Sequence, residues 1–365
     1  MKLKCWYLQN GIYMDHTIQG YRVLPCCQYQ HTEEFAAVDH PSKIHEHKFI
    51  KNIKKEFKQG IKHKGCDICW KNEKILGHSM RLRMPDQARN TKKDFKPKGQ
   101  FENWDLRPSN ICNIKCVMCQ PYCSSKWYED ADIWQKYNGG INIVESLRNK
   151  PEFDWDYVKE NAPNNAYSIY IAGGEPLYDK KVFDFIEYLS NFKWNLKNTN
   201  LRFNTNGISY TDKWDSVLSK FENVYFIVSM DGLNEVDEYI RFPTNFNEKI
   251  KQINIFQKKK NYQYAVNTTI SALNFPVVQK QIRKYYHCIG LNTLVQPHFL
   301  HINSLKPDVV YKMKKDKKIN NPYIADLIKN HKYSPKGNDT LKKYLSDLDQ
   351  KRGTDSKRVL PWCWE

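Results

Sequence analysis

The chain carries Cys112, Cys116 and Cys119 in the string Cys-Asn-Ile-Lys-Cys-Val-Met-Cys. Three thiolates on one short loop can hold three corners of a cubane iron–sulfur cluster and leave the remaining iron without a protein ligand. An open metal position is where a small molecule coordinates and reacts, as open zinc sites also do. A closed zinc site wants a fourth ligand nearby, and Cys123 stands close enough in sequence to supply one. On spacing alone both readings stand.

Further along, the stretch from Tyr167 to Ala172 runs straight into Gly173-Gly174-Glu175-Pro176. Its β-branched and aromatic content, closed by two glycines and a proline, reads as a buried strand ending in a tight turn. Two residues without Cβ atoms let a ligand approach the backbone, so the turn's carbonyls and Glu175 can meet an ammonium group.

These two motifs, a three-cysteine loop followed after one strand–helix unit by a Gly-Gly-Glu-Pro turn, resemble those of the radical S-adenosylmethionine superfamily. The resemblance implies a [4Fe-4S] cluster on Cys112, Cys116 and Cys119 whose unique iron is chelated by the amino and carboxylate groups of S-adenosylmethionine. It further implies one-electron cleavage of the sulfonium, hydrogen abstraction from a substrate, and an electron donor such as flavodoxin or ferredoxin. The cofactor carries that chemistry, and the protein supplies orientation, electron entry and exclusion of water.

A second cysteine group lies near the N-terminus. Cys5, the adjacent Cys26 and Cys27, and the pair Cys66 and Cys69 sit in a region without alternating strands and helices. Gly11-Ile12-Tyr13 through Gly20-Tyr21-Arg22-Val23 reads as a hairpin that brings Cys5 to Cys26 or Cys27, and the Cys-x-x-Cys pair would close a four-thiolate site. Structural zinc suits four thiolates. The arrangement also resembles the twitch or SPASM-like auxiliary-cluster module, which usually follows the barrel and here precedes it. The string Cys66-x-x-Cys69 with Glu73, Gly77, Ser79 and Arg81, the run Trp104 to Asn110, and the end Leu348 to Gly353 resemble a twitch-containing group of mostly unassigned substrate. A second iron–sulfur cluster and a peptide or protein-bound substrate are what this resemblance implies.

The elements that position these residues follow from periodicity. From about residue 101, strands alternate with amphipathic helices, which argues for βα units and a parallel sheet. Strands are expected at Glu102–Arg107, Tyr167–Ala172, Leu201–Gly207, Val224–Gly232, Tyr264–Ile270 and Thr293–Pro297, with helices at Ser125–Lys136, Val182–Leu189, Lys213–Phe221, Glu248–Lys258 and Val277–His287. The fold class is α/β: a partial (β/α)6 TIM-like barrel with a small N-terminal metal-binding module. Residues 1–90 are expected to form that module, 91–310 the barrel and 311–365 a helical extension. A linker at 85–100 could let the module close over the barrel mouth.

In such barrels ligands sit at the C-terminal strand ends, and the Cys112–Cys119 loop, Gly174, Asn206 and Ser229 all fall there. Asn204 and Asn206 offer amide groups and Ser229 a hydroxyl suited to ribose, and Arg241 could pair with the methionine carboxylate. In similar family members these strand ends contact the nucleoside. His298, at the end of the last strand, is the best histidine for substrate contact, while Cys123, Cys288 and Cys363 read as packing residues.

Net charge is +18. The excess is spread along the chain, lysine predominates over arginine, and no base-stacking module is evident, so nucleic acid is not expected as a partner. Runs such as Lys258–Lys260 and Lys312–Lys318 read as solvated faces. No apolar run approaches the ~18 residues of a membrane span, and the first residues lack a signal core. A cytoplasmic location is expected, where eleven cysteines serve as metal ligands more readily than as disulfides. Two other readings remain: a radical enzyme acting on RNA or a nucleotide, and a non-enzymatic, zinc-stapled binding protein.

Overall fold

The computed structural model describes residues 3–29, 36–82, 101–139, 143–314 and 321–365. Nine strands form one sheet: β1 Gly11–Thr17, β2 Gly20–Arg22, β3 Ala37–Val38, β4 Asn103–Arg107, β5 Ser168–Ile171, β6 Asn200–Thr205, β7 Asn223–Ser229, β8 Tyr262–Ile270 and β9 Ile289–Thr293. Their order is β3-β2-β1-β4-β5-β6-β7-β8-β9. From β4 to β9 every pairing is parallel. β3 and β9 stand at opposite edges, so the sheet is an open partial barrel of α/β class.

The strand period of two decides what each face does. On β6 and β7, Leu201, Phe203, Val224, Phe226 and Val228 are at most 1% exposed and pack under the helices, whereas Arg202, Asn204, Tyr225 and Ile227 alternate with them and keep partial solvent contact. The buried face is stitched to its helices by aromatic pairs. Phe226 stacks on Phe256 of the Phe246–Lys258 helix with ring centroids 3.9 Å apart, a contact of about 1 kcal/mol beyond the area it buries. That helix starts where the Asn245 side chain accepts the Glu248 N–H at 3.1 Å, and the Lys180–Leu189 helix starts where Asp179 accepts the Lys181 N–H at 2.9 Å. Each cap satisfies a donor that the helix leaves unpaired.

Five of the six expected strands stand where the alternation placed them. The sixth is Ile289–Thr293 rather than Thr293–Pro297. After Thr293 the chain turns toward the Pro297–Leu300 corner, where a proline cannot donate to a ladder. The segment Ser125–Lys136 is also not one helix. It begins as a 3-10 turn over Ser125–Asp130, capped by Ser124, and becomes α-helix only at Ala131–Asn138.

The N-terminal region differs from expectation in one respect. The hairpin forms, with β1 and β2 antiparallel, but β1 also runs parallel to β4 from Gly11 opposite Asn103 to Asp15 opposite Arg107. It thereby extends the barrel sheet by a strand. The chain end returns as the Pro335–Arg352 helix, opened by Ser334 and closed by Gly353 at φ +65°. That helix buries Leu341, Tyr344, Leu345 and Leu348 in a second core beneath the cysteine loop. The linker read at 85–100 and residues 315–318 of the Lys312–Lys318 run lie outside the described residues. Among the described residues no helix is long and apolar enough to cross a membrane.

Candidate functional site

β4 ends at Arg107 and releases the chain into the cysteine loop. The loop is fastened along its length. The Val117 N–H donates to the Ile240 carbonyl at 2.7 Å, the Lys115 N–H to the Phe242 carbonyl at 2.6 Å, and the Cys119 N–H to the Cys116 carbonyl at 2.9 Å. Side chains add to this. The Trp127 indole donates to the Cys116 carbonyl at 2.8 Å, the Ser124 hydroxyl to the Ile114 carbonyl at 2.6 Å, and the Tyr344 hydroxyl to the Val117 carbonyl at 2.8 Å. Lys115 pairs with Asp130 at 2.9 Å, and Asp130 with Arg352 at 2.7 Å, so the end of the C-terminal helix braces the loop.

The Gly-Gly-Glu-Pro turn is hydrogen-bonded directly to this loop. The Glu175 N–H donates to the Ile111 carbonyl at 2.7 Å and the Gly174 N–H to the Cys123 carbonyl at 3.2 Å. The approach demands glycine. Gly174 has φ +55°, and a Cβ there would stand 2.2 Å from the Ile111 oxygen. Glu175 is 1% exposed and accepts from the Thr205 hydroxyl at 2.7 Å, the Asn206 N–H at 2.5 Å and the Leu177 N–H at 3.1 Å. Burial pushes its carboxyl up to about 7, against the pull of those donors. The Asn206 side chain donates to Asn113 of the cysteine loop at 2.7 Å. The cysteine loop, the turn after β5 and the end of β6 therefore form one hydrogen-bonded rim.

Cys112 and Cys119 lie close enough to Cys116 for its charge to disfavour their thiolates. Cys112 is pushed up to about 12 by burial and then by Cys116. Cys119 is raised by its hydrogen bond to Cys123, by burial, and by the charges of Cys123, Cys116 and Cys112. Thiols in this situation release their protons to a cationic centre, and the donor set suits the open corner arrangement read from the sequence. Cys123 stands beside Cys119 and is lowered by the hydrogen bond it receives from it. Ser229 is buried at the end of β7, and Asn204 faces the lumen two residues before Asn206. Arg241 follows β7, with its Nε 3.1 Å from Asp231 and its Nη1 donating to the Cys116 sulfur at 3.3 Å. His298 is exposed and bonded to Gln296, on a surface turn. Cys363 is fully buried in the second core, and Cys288 packs against the main one.

The structure also brings together Cys5, Cys26, Cys66 and Cys69, which line one small cavity walled by Leu8, Pro25, Ile53, Phe57 and Met80. Burial first and neighbouring thiols next raise Cys26, and Cys66 rises to about 12 by burial and then by Cys5 and Cys69. Cys27 points the other way, hydrogen-bonded to Asp105 of β4. Of the two adjacent cysteines, Cys26 is therefore the one that shares the cavity. Arg81 lines the same cavity, bonded to Glu73 at 2.6 Å and to the Lys4 carbonyl at 2.7 Å, with its guanidinium 4.3 Å from the Trp70 ring. Among the described residues, no three His, Cys, Asp or Glu side chains are gathered tightly enough for a single metal ion.

Sequence reasoning missed the buried ion pairs behind the rim. Lys249 and Asp237 are 0% exposed at their side chains and hydrogen-bonded to each other. Lys249 also donates to the Ser229 carbonyl at 3.1 Å, and Asp237 accepts the Asp231 N–H at 2.8 Å. The available signal was Lys249 sitting in phase with Phe246, Ile253 and Phe256 on the buried stripe of its helix.

Residues 106–280 match the family model described as the Radical SAM superfamily. The chain therefore contains a radical S-adenosylmethionine domain, and members of that superfamily are enzymes. No curated protein matches the sequence. Among solved structures, hexahistidine-tagged anSMEcpe with bound AdoMet is 18% identical with a TM-score of 0.41, over 68% of this chain and 66% of that one. Streptococcus suis SuiB bound to S-adenosylmethionine is 14% identical with a TM-score of 0.36, over 80% of this chain and 64% of that one. TYW1 with a lysine-pyruvate adduct bound is 14% identical with a TM-score of 0.33, over 78% of this chain and 90% of that one. The match thus spans no more than about two thirds of the length of anSMEcpe or SuiB in these two structures.

Proposed function

We propose that this radical S-adenosylmethionine domain is the core of an enzyme that abstracts hydrogen from a peptide or protein-bound residue. When bound, the cluster and S-adenosylmethionine supply reductive cleavage of the sulfonium to methionine and a 5′-deoxyadenosyl radical. In this reading Cys112, Cys116 and Cys119 hold three corners of that cluster. Glu175 and the carbonyls of Gly173 and Gly174 receive the amino group, while Asn204, Asn206 and Ser229 at the strand ends orient the ribose. Arg241, held by Asp231, places a guanidinium on the Cys116 sulfur and so offsets thiolate charge at that corner. The barrel walls keep water from the reacting groups.

The observation that carries the reading is the direct hydrogen bonding of the Gly174–Glu175 backbone to Ile111 and Cys123. A ligand seated on the turn would lie against the cysteine loop. Cys5, Cys26, Cys66 and Cys69 are assigned to a second iron–sulfur centre, supported by their sharing one cavity. The peptide substrate rests on resemblance to twitch-containing enzymes at Cys66, Cys69, Glu73, Gly77, Ser79 and Arg81, and a flavodoxin or ferredoxin donor in the cytoplasm belongs to the same reading.

Anaerobic purification, iron and sulfide analysis, and detection of 5′-deoxyadenosine after chemical reduction test it. Two cubanes bring about eight irons per chain. Replacing Cys112, Cys116 and Cys119 by Ala removes one centre and ends cleavage of S-adenosylmethionine. Cys26→Ala depletes the other centre and Cys27→Ala does not. Persisting cleavage in the triple variant, or a colourless zinc protein, refutes the proposal.

A further inference from the structure

The concave face of the sheet carries one continuous layer of polar side chains. Tyr13 pairs in register with Asp105, Asp105 with Tyr170, Tyr170 with Arg202, Arg202 with Tyr225, and Tyr225 with Gln263. Successive partners across a sheet share a face, so these six residues form a single belt around the lumen. Their chain neighbours Trp104, Ile169, Leu201 and Phe226 belong to the opposite, helix-covered core and are completely buried. Tyr170, Arg202 and Tyr225 keep partial exposure while Tyr13 and Asp105 are buried, so the Arg202 part of the belt meets solvent.

The charges in this chamber do not cancel. Arg107 is 2.6 Å from Asp105, and Asp15 is 3.3 Å from Arg22. Arg241 is committed to Asp231. Arg202 makes no ion pair with a carboxylate among the described residues. Its guanidinium lies 5.3 Å from the Tyr170 ring centroid and 5.6 Å from that of Tyr225, and one of its donors meets the Tyr7 hydroxyl. A guanidinium beside aromatic faces keeps its edge donors for a planar, bidentate acceptor. Partial desolvation makes a half-buried cation seek a counter-ion more strongly than a surface one does. Among the described residues, Arg202 is the one cation on this belt without a carboxylate in ion-pair contact, and its single positive charge matches a monoanionic carboxylate. A phosphate carries close to two negative charges near neutral pH and would call for a second free cation, and Arg107 is already neutralised by Asp105.

We propose that the lumen binds its substrate through a carboxylate, paired with Arg202 beside Tyr170 and Tyr225. This deepens the proposed function, on whose substrate chamber it rests. The substrate class becomes a peptide segment bearing an acidic side chain or a free terminal carboxylate. Arg202 stands four residues, about 13 Å along the strand, before Asn206 at the rim. The carboxylate is therefore an anchor, separated by several bonds from the carbon that reacts.

The test uses the full-length protein and three probes followed by ligand-observed NMR: phenylacetate, its neutral isostere phenylacetamide, and inorganic phosphate. Phenylacetate is expected to bind at least tenfold more tightly than the amide, a difference of about 1.4 kcal/mol. Arg202→Gln removes that preference, and Arg202→Lys, which keeps the charge but loses the fork, retains part of it. Equal binding of acid and amide, an unchanged preference in Arg202→Gln, no binding of any probe, or tighter binding of phosphate overturns the inference. Urea unfolding of both variants shows that the comparison is made on folded protein; if Arg202→Gln does not fold, Arg202→Lys decides, since an undiminished preference there overturns the inference. The titration needs no S-adenosylmethionine cleavage, so its failure and failure of the cleavage assay are separate events.

Discussion

Replacing Lys249 by Met tests the electrostatic scaffold behind the rim. Lys249 and Asp237 have no side-chain exposure and bond to each other, and Lys249 also holds the Ser229 carbonyl. Met fills nearly the same volume, so little cavity opens. What changes is charge. Asp237 is left as an ionised carboxylate in the core, and breaking one side of such a pair costs about 3–5 kcal/mol. Within that loss, the abandoned Ser229 carbonyl accounts for about 1 kcal/mol. Asp237 still accepts the Asp231 N–H, so its retention is not wholly unfavourable. The double replacement Lys249→Met with Asp237→Asn removes the orphaned charge while an amide oxygen can still take that N–H. It should recover about 2 kcal/mol or more of the loss. Urea unfolding with constant m-values measures each variant, and the double-mutant comparison isolates the coupling. A single variant within about 1 kcal/mol of the parent refutes the reasoning, as does a double variant no more stable than Lys249→Met.

Two other perturbations probe different parts of the molecule. Gly174→Ala must relieve a 2.2 Å approach to the Ile111 oxygen, so it should lose several kcal/mol and loosen the cysteine loop, whereas Gly77→Ala, with φ +72° and nothing within 4 Å of the new methyl, costs about 1–2 kcal/mol. Equal losses in thermal melts would contradict the steric account. Two buried histidines should each weaken the fold on acidification. Burial, then Lys150, lowers His16 to about 4, and burial, then Lys54, lowers His45 to about 4. Both rings stay neutral in the folded protein while the unfolded chain takes up protons near pH 6.5. The stability they confer is complete above that pH and is lost as pH falls toward 4. Glu102 and Glu175, raised to about 7 by burial, act with the opposite sign over the same range, so the histidine share is read by difference: between pH 7 and pH 5, His16→Gln should lose less stability, or gain more, than the parent. The same pH dependence in His16→Gln and in the parent sinks this assignment.

The barrel was legible because its strands carry their own punctuation. β5 ends in Gly173-Gly174, β6 is followed by Asn206-Gly207 and β7 by Asp231-Gly232, each a turn signal after an apolar alternation. β9 has no such pattern: Ile289-Gly290-Leu291-Asn292-Thr293 is half-buried on one face and exposed on the other, and its place is set by pairing with β8, a tertiary fact. The cysteine loop was visible from residue type alone, yet the choice of Cys26 over Cys27 needed the backbone. The two adjacent residues sit in a turn that aims them to different sides, and nothing local says which side holds Cys5. The protein contacts of Arg241 were hidden from the sequence for a related reason. A guanidinium pairs with whatever anion folding brings nearest, and here that is Asp231 and a sulfur. The charged residues on β4 and β6 were overlooked because strands were read for their apolar face, while Asp105, Arg107 and Arg202 occupy the other.

The parallel pairing of β1 with β4, Gly11 against Asn103, makes the order of synthesis matter. The first strand leaves the ribosome long before the neighbour that completes its ladder, so the N-terminal hairpin must wait with one edge bare, at the entropic expense of a long-range closure. Deleting it to obtain a smaller catalytic fragment would strip β4 of its outer partner and present an unprotected row of amides and carbonyls, a template for self-association. Any trimmed version of the molecule must therefore keep the opening residues attached, whether or not their cysteines bind anything.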